Sequence, residues 1–343
     1  MRSTYSFLVQ SMVCLALILA GCGSAAPSAA PKAAKQTDAG TAADYFSAAA
    51  DTLYHYQGAG SEYASCDVYN DYIEGNRIQQ RVDNGGAVTV RILALSDGRL
   101  TETRLRGERR YREKNLDQSG EEEILLREPL VKGTAWILPD GRKRTITAVS
   151  VPVSTPSGRY SALEVTTAGE AGQETVQYYA KGVGLIQTNW SLAGERVSST
   201  LGAVRKNAPM TQTVRFFYPD QAQKQIWYVD REVPFYTNDV TEEILTGAYR
   251  QVPQGAAAVL TDGMSVTGLH LREDGKVLLD LTRAPQEETG DLALRCLVNT
   301  FGFYYQTDQV ILSAAGRTYG EPSAPGQEAS LETDLIGTVE VYA

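Results

Sequence analysis

"AVTVRILALSDGRLTETRLR", residues 87–106, is the stretch whose reading decides the fold. Val88, Val90 and Ile92 stand at every second position against Thr89, Arg91 and Leu93. A period of two is that of a strand with two unlike faces. Asp97-Gly98 follows, and "RLTETRLR" resumes beyond it. Asp-Gly supplies the positive φ angles that a tight hairpin turn needs. The device returns at Asp140-Gly141 in "TAWILPDGRKRTITAV" (134–149), and "YYAKGVGLIQTNWSL" (178–192) bends at Gly182 and Gly184. Residues 62–205 therefore predict a meander of antiparallel strands, a sheet that curls around or packs on something apolar.

Upstream, Tyr45, Phe46, Ala49, Leu53 and Tyr56 form a helical stripe that predicts a short helix over Ala43–Tyr56. Further back, Arg2 precedes nine apolar residues, Met12–Ala20. That run is too short to span a bilayer, which takes roughly 20 residues, and has the form of a secretory signal peptide. Leu19-Ala20-Gly21-Cys22 at its end resembles the lipobox of bacterial lipoproteins, which implies cleavage after residue 21 and acylation of Cys22. "GSAAPSAAPKAAKQTDAGTA" (23–42) has almost nothing to bury, so residues 22–42 predict a flexible tether with a reach of roughly 25 Å.

Downstream, the polar, aperiodic "GAVRKNAPMTQT" (202–213) reads as a linker, narrowed to 206–213, between separately folding domains. Beyond it, "VRFFYPD" and "IWYVDREV" predict two strands, and "NDVTEEILTGAYR" a helix capped by Asn238 or Asp239. "TGLHLREDGKVLLDL" predicts a hairpin, "DLALRCLVNTFG" a helix ending at Gly302, and "QVILSAAGR" a last strand. The expected fold class is α+β: a curled antiparallel β domain with an early helix over 43–205, and a small sheet with helices on one face over 214–343.

In the second half, "VRFFYPD" (214–220), "ILTGAYRQVPQG" (244–255), "LREDGKVLLDLT" (271–282) and "LRCLVNTFGFYYQTDQVILSAAGR" (294–317) resemble, in that order and spacing, the GerMN domain. Gly247-Ala248 stands where the family has Gly-Pro, and Ala315-Gly316 where it has Asp-Gly. The resemblance implies a membrane-anchored, non-catalytic module of the kind associated with the spore envelope, germination and trans-envelope assemblies. Its fold would be similar to the ring-building modules of secretion systems. In the first half, "REPLVKGTAWILPDGRKRTITAVSVPVSTPSGRY" (127–160) and "YYAKGVGLIQTNW" (178–190) resemble β-rich domains of other exported bacterial lipoproteins.

Composition narrows the function. The formal net charge of −9 argues against a nucleic-acid partner. With Cys14 in the leader and Cys22 as anchor, Cys66 and Cys296 remain, expected as two buried thiols without a disulfide. His55 and His270 have no metal-ligand spacing, and no triad or nucleotide motif is complete, so neither catalytic residues, metal nor cofactor is expected. One stretch stands out: "RLRGERRYREK" (104–114) carries Arg104, Arg106, Arg109, Arg110, Arg112 and Lys114 against two glutamates. It reads as a solvated strand and turn balanced by Glu121–Glu123, or as a contact for an anionic headgroup or wall polymer. The expected function is a lipid-anchored extracytoplasmic binding or assembly module of the cell or spore envelope, with the membrane and unnamed envelope proteins as partners. The alternative is a carrier or sensor holding an apolar ligand in the β domain.

Overall fold

The computed structural model describes residues 39–283, 290–307, 309–314, 317–319 and 331–332. The lipobox, Cys22 and most of the tether therefore lie outside the described residues. The deciding hairpin is present: Val88–Ser96 and Arg99–Arg104 pair from Arg91↔Arg104 to Ser96↔Arg99. Asp97 (φ 48°) and Gly98 (φ 67°) make its turn.

That hairpin belongs to a twelve-stranded antiparallel sheet. Its strands are β1 (Thr52–Ala59), β2 (Cys66–Glu74), β3 (Arg77–Asp83), β4 (Val88–Ser96), β5 (Arg99–Arg104) and β6 (Glu121–Arg127), then β7 (Ala135–Ile137), β8 (Lys143–Thr155), β9 (Gly158–Ala168), β10 (Glu174–Ala180), β11 (Gly184–Leu192) and β12 (Glu195–Lys206). The order is β6-β5-β4-β3-β2-β1-β12-β11-β10-β9-β8-β7, two meanders joined where β1 pairs β12. The sheet curls into a nearly closed barrel. Side chains bridge its two ends: Trp136 Nε1 (3.0 Å) and Arg144 Nη1 (2.7 Å) both donate to the Ile124 carbonyl on β6. An edge carbonyl that a ladder would pair is satisfied this way instead.

One face of the sheet points inward. Tyr45, Ile78, Leu93, Leu100, Trp136 and Tyr179 belong to one buried cluster, and Tyr54, Tyr56, Val68, Ala162, Ile186 and Leu201 to another. The early helix is a correction. Only Ala42–Tyr45 is helical, as a short 3-10 turn, and Thr52–Ala59 is β1. Asp51, at φ 50°, ends any helical path, and aromatic residues then alternate into the barrel at Tyr54 and Tyr56. The end of the expected tether also differs: Ala39 and Ala42 are buried, their small apolar side chains packed against Tyr45 and its neighbours.

The second half begins with the hairpin β13 (Met210–Pro219) and β14 (Ile226–Phe235), a separate two-stranded sheet. After helix α1 (Thr241–Tyr249) come β15 (Val266–Leu271) and β16 (Val277–Leu281), helix α2 (Gly290–Tyr305), then β17 (Gln309–Ala314), β18 (Arg317–Tyr319) and β19 (Leu331–Glu332). Helix α2 is the crossover that lets β16 and β17 run parallel. It continues past Gly302 because Phe301 and Tyr305 extend its buried stripe. Asn238, expected as a helix cap, instead pairs with β2: its side-chain oxygen accepts from Ile73 N–H (2.8 Å), and its amide donates to Ile73 O (3.1 Å).

The expected α+β class is overturned. Among the described residues, two α-helices stand against nineteen strands, and the barrel makes the chain a mainly β protein. Of the segment 206–213, only residues 207–209 lie between strands. The described body forms one compact unit. The core of the second half, around Phe216, Tyr249, Leu297 and Phe301, takes in Tyr69 of β2 and packs against Leu53 of β1.

Candidate functional site

Three places bring polar side chains together. The first is inside the barrel. The register about Asp97-Gly98 sets Arg91 directly opposite Arg104, and residues two apart on a strand share a face, so Glu102 joins them. Like charges directly across a ladder repel. Glu102 resolves this by holding both: Arg91 Nη1 donates to its Oε2 at 2.8 Å, and Arg104 Nε donates to its Oε1. Arg91 Nε also donates to Gln80 (3.0 Å), whose amide donates to Asn70 (2.9 Å). Burial alone would raise the Glu102 carboxyl, but the Arg91 and Arg104 guanidiniums outweigh it and hold the group below the usual carboxylate range. Beside this network lies a cavity of about 70 Å³, walled by Tyr54, Tyr56, Gln177 and Tyr179 as well as the two arginines and Glu102. Burial pushes the Tyr179 hydroxyl up to about 12.

The second place is a cleft of about 560 Å³ between the outer face of the barrel and β13. Asp67, Asp83, Arg110 and Arg205 supply charge, and Thr211–Thr213 form its strand wall. His55, half-buried, meets Asp67 at 2.6 Å on that side of the sheet. His270 is exposed on β15.

The third is the basic stretch, and it is a clasp. Val90, Ile92 and Tyr72 face outward, and the loop after β5 covers them with Leu105 and Leu116. The same loop reaches the second half. Arg112 is fully buried, its guanidinium stacked 4.3 Å over Tyr72. It donates to Asp71 O (2.9 Å), Tyr236 O (3.1 Å), Asp239 O and Thr241 Oγ1 (3.1 Å), so it ties β2 to the turn before α1. Asp71, also fully buried, pairs with Arg81 at 3.0 Å and faces Arg112 at 3.9 Å. On either side, Tyr304 donates to Gln212 and accepts from Arg112 N–H, and Glu113 accepts from Leu271 N–H. Desolvation holds the Glu113 carboxyl above its usual range.

The six basic residues are therefore not one surface. Arg112 faces no solvent and is withdrawn as an anion contact, because its donors satisfy carbonyls of both halves. Arg104 lines the barrel cavity. Arg109 contacts Asn115 and Gln118, Arg110 pairs with Glu108 at 2.6 Å, Lys114 with Glu74 at 2.6 Å, and Arg106 reaches Glu121 at 3.6 Å. Glu123 goes to Arg142 and Arg144. Cys66 and Cys296 are both free thiols; Cys296 is fully buried, and desolvation pushes its pKa up. Sequence reasoning missed Arg91 and Glu102. The signal was there: hairpin register alone pairs Arg91 with Arg104 and brings Glu102 to the same face.

No family profile matches the chain, and no curated protein matches it. Among solved structures, it is similar to a Bacteroides fragilis protein described as exported and YmcC-like in fold, at 10% identity and a TM-score of 0.32 over 48% of this chain and 100% of that one. A Parabacteroides distasonis protein described as a lipoprotein aligns at 8% identity and a TM-score of 0.30, covering 48% of this chain and 99% of the other. The tandem GerMN domains of the sporulation protein GerM from Bacillus subtilis align at 18% identity and a TM-score of 0.26, over 37% of this chain and 46% of that one.

Proposed function

We propose that this chain is a lipid-anchored, extracytoplasmic protein whose folded body is a non-catalytic binding or assembly module of the cell or spore envelope. The anchor rests on the sequence: a short apolar leader, Leu19-Ala20-Gly21-Cys22, and an alanine- and proline-rich segment after it. The observation that carries the binding role is the cleft between barrel and β13. Its 560 Å³ fall in the range of sites for small ligands, and mixed charge with an open strand wall suits a polar or peptide partner. The link to sporulation or germination comes from the GerMN-like residues of the second half.

The carrier alternative needs an unfilled apolar interior. The barrel instead holds packed tyrosines and leucines around a cavity of about 70 Å³ walled by two arginines and a glutamate. A lipid chain has no room there.

The test is cross-linking in native membranes with a photoreactive group at Arg205 in the cleft, against the same group at exposed Ile137 on β7. A partner captured from the cleft position alone is the expected result. Equal capture from both positions, or none from either, overturns the binding role. Fatty-acid labelling tests the anchor: label on the wild type that disappears in Cys22→Ala is expected, and label persisting on Cys22→Ala refutes it.

A further inference from the structure

We infer that the cavity inside the barrel is a site for one small oxyanion, a carboxylate or phosphate, held between Arg91 and Arg104. The first ground is charge. The side chains lining the cavity carry two guanidiniums and a single carboxylate, so one positive charge is in excess. Glu121, across the ladder from Arg104, and Glu123 attract it from outside the lining, but both are shared with other arginines: Glu121 with Arg106, and Glu123 with Arg142 and Arg144. Glu102 is 2% exposed and Arg91 22%, so water screens the inner part of the network poorly, while Arg104 carries its charge at the solvent side. An anion placed between the two arginines offsets their mutual repulsion across the ladder.

The second ground is unused hydrogen-bonding capacity. A guanidinium has five N–H donors. Arg91 uses Nε and Nη1, and Arg104 uses Nε. Arg91 Nη2 and both terminal nitrogens of Arg104 make no hydrogen bond to any described residue. The two residues stand directly opposite in register, and both line the one cavity. Planar guanidinium forks recognise carboxylate and phosphate by paired, charge-assisted hydrogen bonds.

The third ground is size and access. About 70 Å³ is enough for a single small ion and too little for a lipid or a peptide side chain with its backbone. Arg104, 63% exposed, stands at the mouth, while Glu102 and Arg91 lie behind it. An ion can therefore enter without unfolding the barrel. This site is distinct from the cleft and stands whether or not the cleft takes a partner.

The experiment is isothermal titration of the full chain in detergent with acetate and, separately, inorganic phosphate, at constant ionic strength set with chloride. Saturable one-to-one binding of either is expected, and the two arms identify which oxyanion the site takes. Arg104→Gln should weaken it about tenfold, the loss of one charge-assisted contact. Arg106→Gln, on the exposed surface two residues away, should leave it unchanged. If Arg104→Gln does not fold, modification of the wild type by phenylglyoxal, mapped by mass spectrometry, gives the same answer: the bound ion should slow reaction at Arg104 and not at Arg106. Absence of saturable binding of both ions overturns the proposal. So does equal weakening by Arg106→Gln, or equal protection of Arg104 and Arg106, which would make the effect a general surface attraction.

Discussion

The barrel interior and the seam between the halves both hold arginine, by opposite means. Arg91 meets Gln80 and Glu102, which the neighbouring strands bring to it through the ladder. Arg112 meets backbone carbonyls at residues 71, 236 and 239, brought together only when the chain has closed on itself. The difference is one of origin. A cross-strand partner is fixed by turn register, and a seam partner by the packing of whole elements. Arginine suits the seam because its five donors spread over a flat, fixed fork, whereas an ammonium offers three from a single point.

The largest effect should come from breaking the seam. Arg112→Leu removes a donor from the Asp71, Tyr236 and Asp239 carbonyls and a counter-charge from Asp71, and should cost about 3–5 kcal/mol in urea unfolding. Arg112→Lys should recover little of it. A loss under about 1 kcal/mol would mean that water replaces the guanidinium and that the two halves need no clasp.

Next comes a buried position outside both charged sites. Cys296 lies among Leu297, Val298 and Phe301 with no exposure. Cys296→Asp should cost about 3 kcal/mol or more, because an unpaired carboxylate is placed in the core, whereas Cys296→Ala should cost about 1 kcal/mol. Labelling of the native thiol should be far slower than after denaturation. Rapid labelling in the native state would contradict its burial.

Breaking the barrel network should cost less. Glu102→Gln leaves Arg91 and Arg104 opposed across a neutral amide, with an expected loss of about 2 kcal/mol at pH 7. Its pH dependence sharpens the comparison. The folded-state carboxyl lies below the usual carboxylate value, so its stabilisation is complete above that value and is lost as pH falls through the depressed one. The gap between wild type and Glu102→Gln should therefore close on acidification below about pH 4. A gap that stays constant to pH 2 would show that charge is not the cause. The smallest effect belongs to Arg106→Gln: with both partners mostly exposed, removing its 3.6 Å pair with Glu121 should change stability by less than about 0.5 kcal/mol.

Much of the fold was legible where the controlling interaction is local. Asp97-Gly98 announced its hairpin, and the alternation around it announced strands. What alternation could not say is which face looks inward. Val90 and Ile92 are the β-branched apolar residues of β4, yet they lie outside, covered by Leu105 and Leu116, while Arg91 and Leu93 point into the barrel. The stripe Tyr45–Tyr56 misled for the opposite reason. Its spacing fits a helix, but barrel packing rewards an extended path that sends Tyr54 and Tyr56 inward. Of the candidate site, the basic stretch was visible as composition, and its division into cavity wall, clasp and surface was not.

The sequence by itself determined the leader-like start with its cysteine, the β meander, the helix–strand alternation of the second half and the pairing of Arg91 with Arg104. Each depends on residues near one another in the chain or on one turn register. Only the tertiary structure decided that the sheet closes on Trp136 and Arg144, that Arg112 is buried, and that the two halves share a core through Tyr69. Those contacts join residues 12 to more than 200 positions apart, and their energies come from desolvation and carbonyl pairing that exist only after the elements meet.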